Sequence, residues 1–329
     1  MKNQLLILLI CSLGFVACQS GEKMDAEPEK SWKIVVTSDG SEPQERHEAA
    51  FVGIGDKFYL LGGRGILPTS IYDTKTNSWS EGAPPPIELH HFQPVIFGDK
   101  VYIVGALTGG YPGETPVPNV YIYHPDTDSW EKGHEIPEGR RRGSTGNVLY
   151  KNQIYVASGI KNGHIGDHKK WFDRYDPVTG EWEALADTPR ARDHFQAVLA
   201  GDKMVLVAGR LSNAPENAFS LTITEVDVYN FGTESWSTLE VKLPTERAGN
   251  MAVFYKEEVL VVGGESSSQV VAHSEVEALD LEVGTWRALP SLQRGRHGTG
   301  VFEFNGKLYT ASGSGNRGGE PELFSLERY

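Results

Sequence analysis

Arginine and histidine recur in this chain just ahead of short apolar runs, and together they define the first chemical expectation. They stand as Arg46-His47, His90-His91, Arg141-Arg142, Arg192-Asp193-His194, Arg247 and Arg296-His297. Arg64 and Arg210 close apolar runs, and Asn316-Arg317 lies in the last loop. A guanidinium presents a planar fork of donors that matches carboxylate, sulfate or phosphate two bonds at a time. Imidazole adds a group that exchanges a proton near neutral pH. Arg64, His91, Arg142, His194, Arg210, Arg247, His297 and Arg317 are therefore the candidate binding residues, and the ligand they suit is anionic. Glu265 is the one acid in the position that Arg64 and Arg210 occupy. It is the candidate general acid or base, with His194 as the second catalytic candidate. The competing readings are structural: a salt bridge from Glu265 to a neighbouring Arg, and hydrogen bonds from the His rings to adjacent repeats.

These residues converge only if the elements bearing them repeat around a common axis, and the chain does repeat. Trp32, Trp79, Trp130, Trp182, Trp236 and Trp286 are spaced 47, 51, 52, 54 and 50 residues apart. Between them recur short turns, such as Gly55-Asp56-Lys57 and Gly201-Asp202-Lys203, each followed by an apolar run such as FYLLGG, IYVASG or MVLVAG. Four to six apolar, β-branched or aromatic residues bounded by Gly describe a buried strand better than a helix. Segments such as YIYHPDTDSWEKG then read as a strand, a tight turn and a second strand carrying the Trp. Each unit supplies four antiparallel strands, one blade of a β-propeller.

The paired glycines Gly62-Gly63 and Gly263-Gly264, the Tyr72-Asp73 and Tyr175-Asp176 pairs and the Trp at fixed distance resemble the Kelch repeat. The resemblance runs from about residue 31 to residue 329 and implies an all-β fold, a six-bladed Kelch-type β-propeller. The last repeat, from His297, has three strands and lacks the Trp-bearing fourth. The N-terminal segment SWKIVVT has such a strand and no others. It is expected to complete the last blade, which removes an exposed edge. In this topology the residues entering each first strand and leaving each second strand meet at one mouth of the central channel.

Residues 1–17 read as a signal peptide: Lys2, an apolar stretch too short to span a bilayer, then Val16-Ala17-Cys18. The last three residues resemble a bacterial lipobox, which implies lipidation at Cys18. Residues 18–30 are polar and charged and read as a flexible tether. An acidic stretch after the lipidated Cys resembles an export signal, so an outer-membrane lipoprotein is expected, on the cell surface or the periplasmic face. Cys11 and Cys18 are the only cysteines, so residues 31–329 contain neither a disulfide nor a thiol nucleophile. A net charge of −13 argues against nucleic acid as a partner.

Tyr111, in the Gly/Pro-rich loop of residues 108–118, is a possible stacking surface for a sugar ring. His164, Asp167 and His168 lie within five residues in another loop. A loop without a second anchoring strand seldom holds a metal, so neither a metal nor a cofactor is expected. The Kelch family includes galactose oxidase, whose copper-radical site needs a Cys that this propeller lacks. It also includes bacterial sialate mutarotases, secreted propellers that handle an acidic sugar. No phosphate loop, G-x-S-x-G elbow or H-E-x-x-H motif is present. The expectation is a monomeric module that binds an anionic carbohydrate, or a protein partner, at the Arg/His mouth. The alternative is an enzyme on acidic sugars, of mutarotase, epimerase or lyase type.

Overall fold

Each short turn identified in the sequence folds one strand back on the last. In the first blade Lys57–Gly62 returns along Ala49–Ile54, Thr69–Asp73 adds outside it, and Ser78–Gly82 forms the outer edge. The same order repeats until six four-stranded sheets are complete, with two short two-stranded ribbons beside them. The computed structural model describes residues 31–329; the expected signal peptide, tether and lipidation site at Cys18 lie outside the described residues. The one helical piece among them is a 3-10 turn at Glu138–Arg140. The chain is an all-β, six-bladed propeller.

The sixth blade is built as the repeat predicts. Its inner strands are Val301–Phe304, Lys307–Ala311 and Leu326–Arg328, and Lys33–Ile34 pairs antiparallel with the last. Trp32 is almost wholly buried, its ring centroid 5.5 Å from that of Tyr329. Tyr72 and Trp79, Tyr123 and Trp130, Tyr175 and Trp182, and Tyr229 and Trp236 meet in the same way, at 4.8–5.3 Å. Trp32 with Tyr329 is thus the fifth such pair, supplied from the other end of the chain, and in the remaining blade Leu279 stands opposite Trp286.

Apolar clusters fill the spaces between blades. One joins Leu61 and Leu89 to Val101 and Tyr123, and another joins Val205 and Val228 to Val259 and Leu279. The sheets therefore bury both faces against their neighbours, which explains why the second strands are continuous apolar runs rather than alternating ones. Next to the axis, Gln93 and Gln196 bond to backbone groups of Ala197 and Thr299 in other blades and tie the ring together.

Candidate functional site

The six approaches to the first strands share one register, and their first and third positions do different work. The first holds Arg46, Leu89, Arg142, Arg192, Arg247 and Arg296. The five arginines are buried between strands, where they donate to carbonyls such as Gly62, Ser158, Ala208, Val261 and Ser312. Four of them also meet a buried acid from the third strand of their own blade. Arg142 lies 2.8 Å from Asp173, Arg192 2.5 Å from Asp227, Arg247 2.6 Å from Glu277 and Arg296 2.5 Å from Glu327. Arg46 meets Ser70 there, and in the second blade Leu89 and Tyr121 share an apolar cluster instead. Burial lowers the Arg142 and Arg192 guanidinium groups to about 10, against the pull of Asp173 and Asp227, and both stay charged at neutral pH.

The third position faces the axis and holds Glu48, His91, Ser144, His194, Gly249 and Gly298. All six have φ between 52° and 65°. Glycine enters that left-handed region freely, whereas other residues pay for it. At four of the six positions the amide reaches the preceding blade: His91 N–H donates to Glu48 O, Ser144 to His91 O, Gly249 to His194 O and Gly298 to Gly249 O.

Around this axis the approaches and the loops after the second strands enclose a cavity of about 760 Å³. Arg64, His91, Tyr111, His164, Arg210, Phe219 and Glu265 are among its walls. Arg64 bonds Glu114 at 2.7 Å and keeps about a quarter of its side chain exposed. Arg210 is buried; it bonds Glu265 at 2.5 Å and lies over the Phe219 ring, which Arg317 also approaches. Glu265 further accepts from the Gly318 N–H at 2.8 Å and lies 3.4 Å from His297. Burial opposes its ionisation, but His297, Arg210 and the Gly318 amide outweigh that and bring it down to about 2. Tyr111 is more than half exposed, its ring 5.0 Å from that of His164.

Three imidazoles meet at the inner side of the cavity. One ring nitrogen of each of His91, His164 and His194 lies within 4.8 Å of the other two. His194 Nδ1 bonds Asp193, His164 Nδ1 bonds Glu114 at 3.0 Å, and His91 Nδ1 bonds His90 Nδ1 at 2.7 Å. Burial is the largest influence on His91 and His194; it holds His91 well below its ordinary value and, with Arg210, His194 at about 4. Asp193 and Glu114 are held well below the usual carboxylate range. Burial raises both, but bonds to His168 and His194, and to His164 and Arg64, prevail.

A family model of the attractin/LZTR1 β-propeller matches residues 23–272, more than half of the chain. The chain belongs to this β-propeller family. Kelch-like protein terF of Aspergillus terreus is 27% identical over 304 residues, covering 84% of this chain and 63% of that protein. Human Kelch-like protein 23 is 24% identical, covering 82% of this chain and 46% of that protein. The chain thus spans about half to three fifths of these relatives. The solved structure of YjhT superposes with a TM-score of 0.72 over 88% of this chain and 96% of its own, at 17% identity. These relatives establish a Kelch-repeat propeller.

Within this propeller the predicted residues divide. Arg64, His91, Arg210 and Glu265 line the cavity, with His194, His297 and Arg317 just behind its walls. Arg142 and Arg247 do not reach it: they are corrected to inter-strand braces, their guanidiniums consumed by carbonyls, Asp173 and Glu277. The loop residues His164, Asp167 and His168 also divide. Of the loop residues, Asp167 pairs with Lys169 and His168 with Asp193, but His164 joins two histidines from other blades. The loop is moreover anchored, since Ile160–Asn162 pairs with Gly166–His168. Glu48, Phe219 and Glu322, which line the cavity, and Glu114, which bonds Arg64 and His164, carry no sequence expectation. Glu48 was recoverable, because it holds the register of His91 and His194; the other three sit in loops of unequal length with no repeat to align.

Proposed function

We propose that the chain binds a small anionic carbohydrate in the cavity at the propeller mouth. Arg64 carries this reading. It has a single carboxylate partner, spare donors and a partly exposed side chain, and the exposed Tyr111 ring lines the same cavity. A guanidinium and an aromatic face in one cavity suit a sugar acid, with the carboxylate on the fork and the ring against the tyrosine. A volume of about 760 Å³ falls within the span of small-ligand sites. Kelch propellers serve as binding scaffolds, and binding has more support here than catalysis. Glu265 is an ionised, fully bonded carboxylate, with no proton to give near neutral pH and little basicity.

Uronic acids, sialic acid and sulfated oligosaccharides titrated by NMR and calorimetry test this. Saturable shifts without chemical change are expected, and Arg64→Ala is expected to weaken affinity by at least tenfold. Faster anomeric exchange or unsaturated products would instead establish the enzyme reading. No response to any anionic sugar leaves a protein partner as the occupant of this face.

We also propose that the chain is an outer-membrane lipoprotein anchored at Cys18, on the cell surface or the periplasmic face. The support is the apolar leader and the residues around Cys18. Cys18→Ala is expected to move the protein from the membrane to the soluble fraction; retention in the membrane would reject the anchor.

A further inference from the structure

We propose that His91, His164 and His194, brought together from three blades, bind one divalent transition-metal ion of the zinc type. The hydrogen bonds around the cluster assign the tautomers. A carboxylate oxygen of Asp193 faces His194 Nδ1 and one of Glu114 faces His164 Nδ1, and as acceptors they place the protons of these rings on Nδ1. His90 Nε2 faces the Gly109 carbonyl and must donate to it, which leaves His90 Nδ1 as an acceptor for a proton on His91 Nδ1. In the neutral rings all three Nε2 atoms are then lone pairs. His164 Nε2 and His194 Nε2 face each other at 3.0 Å, with no hydrogen to share. His91 Nε2 is buried without a hydrogen-bond partner, 3.4 Å from the Glu48 carboxylate. Lone pairs and a carboxylate directed at one another repel unless a cation lies among them.

The outer partners have the form that metal sites use. A ligating imidazole usually donates its other N–H to a carboxylate, which fixes the ring and raises its basicity, and His164 and His194 do so. Bonds of about 2.0–2.1 Å place tetrahedral donors roughly 3.3 Å apart, so the 3.0 Å pair needs little adjustment and His91 a shift on the order of 1 Å. Three imidazole nitrogen donors select zinc and its neighbours over magnesium or calcium, and leave coordination open towards the cavity. The inference goes beyond carbohydrate binding and does not depend on it.

The test uses the full chain carrying Cys11→Ser and Cys18→Ser, so that no thiol competes. After dialysis against a chelator, one equivalent of Zn²⁺ is expected by calorimetry and elemental analysis, and Co²⁺ should develop ligand-field absorption. His91→Asn and His164→Asn should each weaken binding by at least tenfold. Glu114→Gln, which acts through His164, should do so about tenfold. His124→Asn, a surface residue paired with Glu131, should leave it unchanged. Imidazole ¹⁵N shifts of the unsubstituted rings report on the cluster even if a variant fails to fold. Three Nε2 signals moving together on Zn²⁺ addition support the site. No saturable binding, equal affinity in the histidine variants, or ¹⁵N shifts showing a bridging proton unaffected by Zn²⁺ would overturn it.

Discussion

Glu265 shows how one side chain ties the cavity to stability. Its carboxyl falls from 4.5 to about 2 because the attraction of His297, Arg210 and the Gly318 amide exceeds the burial penalty. A depressed carboxyl contributes stability above its unfolded value, and that contribution is lost as pH falls through the folded one. Glu265 therefore contributes about 3 kcal/mol that is fully present above about pH 4.5 and disappears towards pH 2. Glu265→Gln should flatten this part of the stability–pH curve. Urea titrations of both proteins between pH 2 and 7 check it; parallel curves would mean that the ion pair with Arg210 is not formed.

At the scale of the strand, the recurring arginines act as braces rather than ligands. Arg192 is buried with Asp227 and also holds the carbonyls of Ala208 and Glu225. Removing one partner of such a pair strands the other and costs about 3–5 kcal/mol. Arg192→Met should lower unfolding free energy by that amount in chemical denaturation and leave ligand affinity untouched. The second blade supplies an apolar version of the same joint, Leu89 with Tyr121. The double change Arg192→Leu with Asp227→Tyr should therefore cost less than the single one. A single variant of unchanged stability would refute the brace.

For the whole molecule, ring closure is the critical joint. Lys33–Ile34 contributes only two paired residues, so the hold comes chiefly from Trp32 between the fifth and sixth blades. Truncating a buried aromatic residue costs about 3–5 kcal/mol through lost burial and the cavity left behind. Trp32→Ala should lose this much in denaturant titration and expose the outer edge of the sixth blade to pairing between molecules. A loss below about 1 kcal/mol would show that the ring closes without this strand.

The sequence alone determined the propeller, its six blades and its closure. Turn, apolar run and Trp recur at near-constant spacing, and an incomplete last repeat can be matched only by an unpartnered strand at the other end. It also placed the approaches to the first strands together at one mouth of the channel, because blade topology decides where they must lie. It could not tell that Arg142 and Arg247 are held away from the cavity, since that depends on the buried acids Asp173 and Glu277 that meet them on the third strand. Nor could it see the histidine cluster. His91, His164 and His194 lie 30 or more residues apart, and only closing the ring brings their nitrogens within ångströms.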